Sequence, residues 1–264
     1  MEQVLDITDV SVNGYSQRIT LRSYLPAAAK TLPIVLCFHG GNFVGGCLND
    51  NRQLAIQLAQ TLPAWVVSVG YSLAPDFPFP AAAEDAYLAL KWAVAHAASY
   101  RADGQRIAAV GIEAGGNIAA SLAAMARDRA VTPLRAQVLM APLLDPSMTR
   151  VANVVPASAD DHRARACAEH YRAYLPAVSD RTHPYAAPLE SKRLAHLPPT
   201  LVASAGRDVF RADGEAYARE LIPAGVPVVA TRFADVGAQE IAGHTPAVDA
   251  AMAFLRQHLG RVAR

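Results

Sequence analysis

Cysteine is scarce: Cys37, Cys47 and Cys167 are the only three in 264 residues. An odd number without metal-ligand spacing excludes a disulfide framework and a zinc site, and predicts idle thiols in a reducing compartment. No sign of charge dominates either, with Lys+Arg 24 against Asp+Glu 23 and the charges scattered. That excludes a polyanionic partner, so neither nucleic acid nor an acidic lipid surface is expected. The N-terminus lacks a basic segment followed by an apolar core, and no apolar run approaches membrane-spanning length. A cytoplasmic protein with no membrane association is the expectation. Repeats and low-complexity tracts are absent as well.

Apolar residues are what the chain has in quantity, at 52%. That suffices to bury a core, and one domain over residues 1–264 is expected. Val4 to Val12 and Arg18 to Leu25 alternate apolar and polar residues around Asn13-Gly14, predicting a hairpin with Gly14 at positive φ. Continuous apolar runs at 34–38, 65–69, 106–110, 136–141, 200–204 and 226–233 predict strands, most of them buried on both faces. Helical spacing predicts helices over 51–62, 81–97, 118–127, 212–222 and from Pro246 onward. Glu84 and Asp85 fall in the first turn of one helix, where the macrodipole favours acids. Thr245 reads as the N-cap of the last helix, with Pro246 at N1. The polar stretch from Val151 to Pro184, with a helical segment near Asp161 to Tyr174, breaks the alternation and reads as a cap over the strand ends. The fold class is therefore α/β: a mostly parallel central sheet with an antiparallel N-terminal edge, helices on both faces and a small helical cap.

One stretch organises this pattern. Gly111-Ile112-Glu113-Ala114-Gly115-Gly116-Asn117 follows a strand and opens a helix. A turn so tight needs small residues on both sides of its apex, here Glu113, and pushes the apex side chain into the open.

Several motifs in order, His39-Gly40-Gly41 with Phe43, Tyr71-Ser72-Leu73-Ala74-Pro75, Phe79-Pro80-Ala81-Ala82, the elbow with Gly116-Asn117, and Gly206-Arg207-Asp208 followed by Asp213-Gly214, resemble the hormone-sensitive-lipase-like branch of the α/β-hydrolases. The resemblance runs from about Pro33 to the C-terminus. It implies an α/β-hydrolase fold in which the elbow serine attacks, an Asp orients a His base, and main-chain N–H groups stabilise the oxyanion. By that likeness Gly40, Gly41 and Ala114 match the oxyanion turns, and Asp208 matches the family aspartate. Three positions in the two diagnostic turns depart from the pattern. Asn42 stands at the third glycine, Ile112 where an Asp usually precedes the serine, and Glu113 at the serine itself. Lining up the last core strand puts Ala238 at the histidine, with His244 further on as a candidate replacement and Glu240 as a candidate base.

Ordinary serine-esterase turnover is not expected from such a set, since triad members act as a unit. The first functional expectation is a divergent hydrolase-family enzyme in which Glu113, with Asp208, does carboxylate chemistry on a small acyl, lactone or carbonyl compound. The alternative is a non-catalytic protein that binds a small ligand or a protein partner. An arginine tied to Glu113, with Arg207 and Arg211 as candidates, would favour the alternative. Asn42 is expected to hold its turn or contact a ligand, and His39 to support loop geometry. No metal and no cofactor are expected. A homodimer through the last strand and helix is compatible with either reading.

Overall fold

The computed structural model describes residues 4–27, 30–130, 132–151 and 161–260. The alternating N-terminal segments form β1 (Leu5–Asn13) and β2 (Arg18–Pro26), paired antiparallel with Asn13 opposite Arg18. The apolar runs form β3 (Leu32–Phe38), β4 (Trp65–Gly70), β5 (Ala102–Ile112), β6 (Ala136–Met140), β7 (Thr200–Ala205) and β8 (Val228–Phe233). All eight lie in one sheet, in the order β1-β2-β4-β3-β5-β6-β7-β8. Pairing is antiparallel from β1 to β4 through β2, and parallel from β4 to β8.

The central strands carry apolar side chains on both faces because helices cover both. On one face lie α2 (Ala81–His96), α3 (Ala114–Asp128) and α5 (Arg211–Leu221); on the other lie α1 (Arg52–Thr61) and α6 (Thr245–Leu259). The two resulting cores are separated by the sheet itself. The predicted cap helix is present as α4 (Asp161–Tyr174), which buries Cys167, Tyr171 and Tyr174 in the first of these cores. Phe43, from the turn after β3, stacks on Tyr174 with ring centroids 4.1 Å apart. The cap thus leans on the same loop that faces the elbow. The rest of the predicted cap at 152–160 lies outside the described residues.

Three local expectations need correction. Gly14 is not at positive φ; a β-carbon there would lie 2.5 Å from Asp85 Oδ1, so close approach explains the glycine. Glu84 and Asp85 do more than complement a dipole. Glu84 forms a two-pronged pair with Arg129 (2.6 and 2.8 Å), while buried Asp85 accepts the N–H groups of Tyr15 (2.7 Å) and Ser72 (2.8 Å). Asp85 therefore ties the β1–β2 loop to the turn after β4. In the last helix His244 takes the N-cap position, without a side-chain cap bond, and Thr245 is already helical.

Packing is tightest at the elbow. A β-carbon on Gly111 would overlap the Gly115 carbonyl, and one on Gly115 would overlap the carbonyls of Phe38 and His39. Strand β3 and the start of α3 approach backbone to backbone there, which only glycine permits. Asn117 completes the join, its buried amide donating to Leu143 O (2.8 Å) and Ala186 O (3.0 Å). Gly115→Ala is expected to lower unfolding stability by about 3 kcal/mol through forced backbone displacement, measured by urea denaturation. A loss below about 0.5 kcal/mol, the range of ordinary surface substitutions, would show that the turn yields freely.

Candidate active site

Strand β5 ends at Ile112 and α3 begins at Ala114, leaving Glu113 alone to make the turn at φ 51° and ψ −114°. Its backbone is pinned on both sides. Glu113 N donates to Met140 O at the end of β6 (3.0 Å), and Glu113 O accepts from Gly116 N (2.9 Å) and Leu143 N (3.2 Å). Such a backbone is costly for a non-glycine residue, and the surrounding bonds hold it in place. Glu113 is only 6% exposed, and its carboxylate makes no cap bond to the helix that starts beneath it.

Glu113 instead reaches across to the turn after β3. Its Oε2 accepts the Gly41 N–H at 3.3 Å. That turn is closed by its own backbone, Val44 N and Gly45 N both donating to Gly41 O (3.2 and 3.0 Å), with Asn42 and Phe43 at φ 53° and 69°. Asparagine tolerates this conformation better than most residues, which accounts for Asn42. A β-carbon on Gly40 would lie 2.8 Å from Glu113 Oε2, so the first glycine makes room for the carboxylate. His39 plays the supporting part expected of it: its Nδ1–H donates to Gly40 O (2.7 Å) and its ring stacks on Tyr71 at 4.3 Å. Burial lowers its pKa and so favours the neutral ring.

The other oxygen, Glu113 Oε1, accepts from Arg163 Nη2 at 3.1 Å. The same nitrogen lies 3.2 Å from Asp208 Oδ1. One guanidinium of the cap helix thus bridges the apex of the elbow and the turn after β7. The guanidinium carbon also sits 5.7 Å from the centre of the Phe210 ring. Asp208 is fully buried; its Oδ1 accepts the Phe210 N–H (3.2 Å), and Oδ2 has no hydrogen-bond partner among the described residues. Burial raises the Asp208 pKa, and the Arg163 charge opposes that rise.

Of the sequence-predicted site residues, Glu113, Gly40, Gly41, Asn42, Ala114 and Asp208 come together at the carboxyl ends of the strands. Others do not. Arg207 pairs with Glu240 at the surface (2.5 Å), and Arg211 donates to Asp208 O (3.3 Å), so neither arginine holds Glu113. Glu240 also accepts the Gly237 N–H (3.1 Å), and the two contacts lower its pKa. It is occupied as a surface ion pair rather than as a base. The His244 ring packs edge-on against Phe233 at 5.4 Å, and its Nδ1 has no partner among the described residues. Ala238 is fully buried in the core between the sheet and α6. Arg163 is the residue that sequence reasoning missed. Its only signal was membership of a cap helix expected to cover the site.

The chain belongs to the α/β-hydrolase family, in its hormone-sensitive-lipase-like branch, matching the alpha/beta hydrolase fold over residues 35–238. Among its relatives, it is 40% identical to esterase LipI of Mycobacterium tuberculosis over 229 residues, 85% of this chain and 71% of that one. The esterase of Pyrobaculum calidifontis superposes with a TM-score of 0.90 at 34% identity, covering 97% of this chain and 87% of that one. The metagenomic carboxylesterase EstE1 superposes at 0.92 with 32% identity, covering 99% and 92%. The esterase-like scaffold is established by this likeness. Among the described residues no group of three His, Cys, Asp or Glu side chains is placed to hold a metal ion, and no helix is long and apolar enough to cross a membrane.

Beside the site, Asp213 in the first turn of α5 is buried, and burial, with the Asp145 carboxylate acting in the same direction, pushes its pKa up to about 8. Asp145 is itself paired with Arg150 (2.6 Å). The folded protein holds the Asp213 proton up to about pH 8, whereas the unfolded chain releases it near pH 4. Stability therefore falls as pH rises through that window, by up to about 1.4 kcal/mol per unit. Asp213→Asn, neutral throughout, is expected to gain on the parent between pH 5 and pH 8 in urea denaturation. A parent–variant difference equal at both pH values would contradict the buried proton.

Proposed function

We propose that this protein is an esterase-scaffold ligand-binding protein whose site no longer turns over esters. The observation that carries this reading is the bridge from Glu113 through Arg163 to Asp208. In the mechanism of the family, the apex side chain attacks, the Asp orients an imidazole, and the Gly-rich turn donates to the oxyanion. In this chain the apex is a carboxylate, the matching histidine position is Ala238, and Asp208 faces a guanidinium. Glu113 Oε2 occupies the Gly41 N–H that an oxyanion would use. On this reading the nucleophile and the base are replaced, and one oxyanion donor, the Gly41 N–H, is engaged. The framework around the site persists, since the glycine-rich turn, the elbow and the cap helix are all in place. On this reading its ligand is a small molecule.

A second reading keeps chemistry at Glu113. Two carboxylates share one cation here, and Asp208 is held toward its protonated form by burial. Two carboxyl groups in unlike surroundings have the makings of an acid and a base for a small acyl, lactone or carbonyl compound.

Hydrolysis of p-nitrophenyl acetate and butyrate by the parent, Glu113→Gln and Glu113→Ser separates the two. No turnover above background is expected from any of the three, because restoring a hydroxyl restores neither base nor a free Asp208. Turnover in the parent that falls at least a hundredfold in Glu113→Gln would overturn the binding reading in favour of the second.

A further inference from the structure

The bridge has an unusual division of labour. A guanidinium has five N–H donors in a planar fork, suited to gripping a carboxylate with two parallel bonds. Arg163 meets both Glu113 and Asp208 through the single nitrogen Nη2. Asp208 Oδ2 is left buried without a partner among the described residues. A buried carboxylate oxygen without a donor is costly, so this oxygen marks unfilled capacity for a cation. Arg163 reaches the site from α4, and its side chain keeps 30% of its exposure. Its tether to the cap therefore limits the fit, while the exposed side leaves a way in.

The surroundings suit a cation in other respects. Glu113 and Asp208 come from turns on two different strands, and their charges oppose one another, as the rise that Glu113 adds to the Asp208 pKa shows. Removal of Arg163 would leave two carboxylates facing a single vacancy. The Phe210 ring lies beside that position, a surface to which a planar or ammonium cation is attracted. For an anion or a neutral ester, the Gly41 N–H is already taken by Glu113.

We propose that Glu113 and Asp208, beside the Phe210 ring, form a binding site for the head group of a small guanidine or amine, and that Arg163 is its tethered stand-in. A free guanidine can turn its fork so that both carboxylates are met by separate N–H groups, which the Arg163 tether prevents. The inference deepens the reading that this site binds rather than hydrolyses, and names the ligand class.

The test uses methylguanidinium chloride as probe and sodium acetate as anionic control, at constant ionic strength, by titration calorimetry. Arg163→Met, which keeps an aliphatic stem, is expected to bind methylguanidinium at least tenfold more tightly than the parent. The double variant Arg163→Met/Glu113→Gln is expected to lose at least tenfold of that affinity, and acetate to bind none of the three. Equal affinity in parent and Arg163→Met, equal affinity with and without Glu113, or no binding by a folded Arg163→Met would each overturn the proposal. Should Arg163→Met unfold, methylguanidinium is expected to restore its thermal transition by mass action, and absence of rescue would count against the site equally. Ester turnover dependent on Glu113 would sink the functional reading alone, because the probe's binding is read without any substrate.

Discussion

Backbone contact between the end of β3 and the start of α3 is the constraint on which the site depends. Gly111 and Gly115 have no room for a β-carbon, and the carbonyls of Phe38 and His39 lie against Gly115. With the chain pressed so closely, the residue between strand and helix has nowhere to go but the left-handed turn that Glu113 makes. The same closeness sets the His39–Gly41 turn opposite the apex, where the Glu113 carboxylate meets the Gly41 N–H. The scaffold's geometry is thus independent of the nucleophile, which explains how a carboxylate can stand there without disturbing the fold.

Electrostatics then decides what the position does. A carboxylate on a residue only 6% exposed needs a partner, and a fully buried one such as Asp208 needs it more. One arginine from the cap answers both, drawing together three segments, β5–α3, β7–α5 and α4, that share no backbone pairing at this point. Breaking a buried pair from one side leaves an uncompensated charge. The cap helix is consequently tied to the site by charge as well as by the Phe43, Tyr171 and Tyr174 rings.

Local rules succeeded where neighbours in sequence were also neighbours in space. The strands showed as apolar runs because helices cover both faces of the sheet, and the elbow showed as small residues around an apex. Such rules failed where a side chain works at long range. Asp85 looked like a helix-end acid, yet it bonds Tyr15 N, 70 residues away, because α2 packs beside the β1–β2 loop. Gly14 looked like a turn glycine and is one, but for lack of space rather than for φ. Arg207 and Arg211 were near the site in sequence, whereas Arg163, 50 residues from Glu113, is the arginine that reaches it.

By itself the sequence determined the α/β alternation, the two glycine-lined turns and the presence of Glu113, Asp208 and Ala238 at defined points along them, because backbone sterics and hydrophobic period are written locally. Only the tertiary structure decided which charge neutralises Glu113 and Asp208. The cap helix carries several arginines, and selecting Arg163 depends on how that helix lies over the strand ends, a matter of packing between segments far apart in the chain.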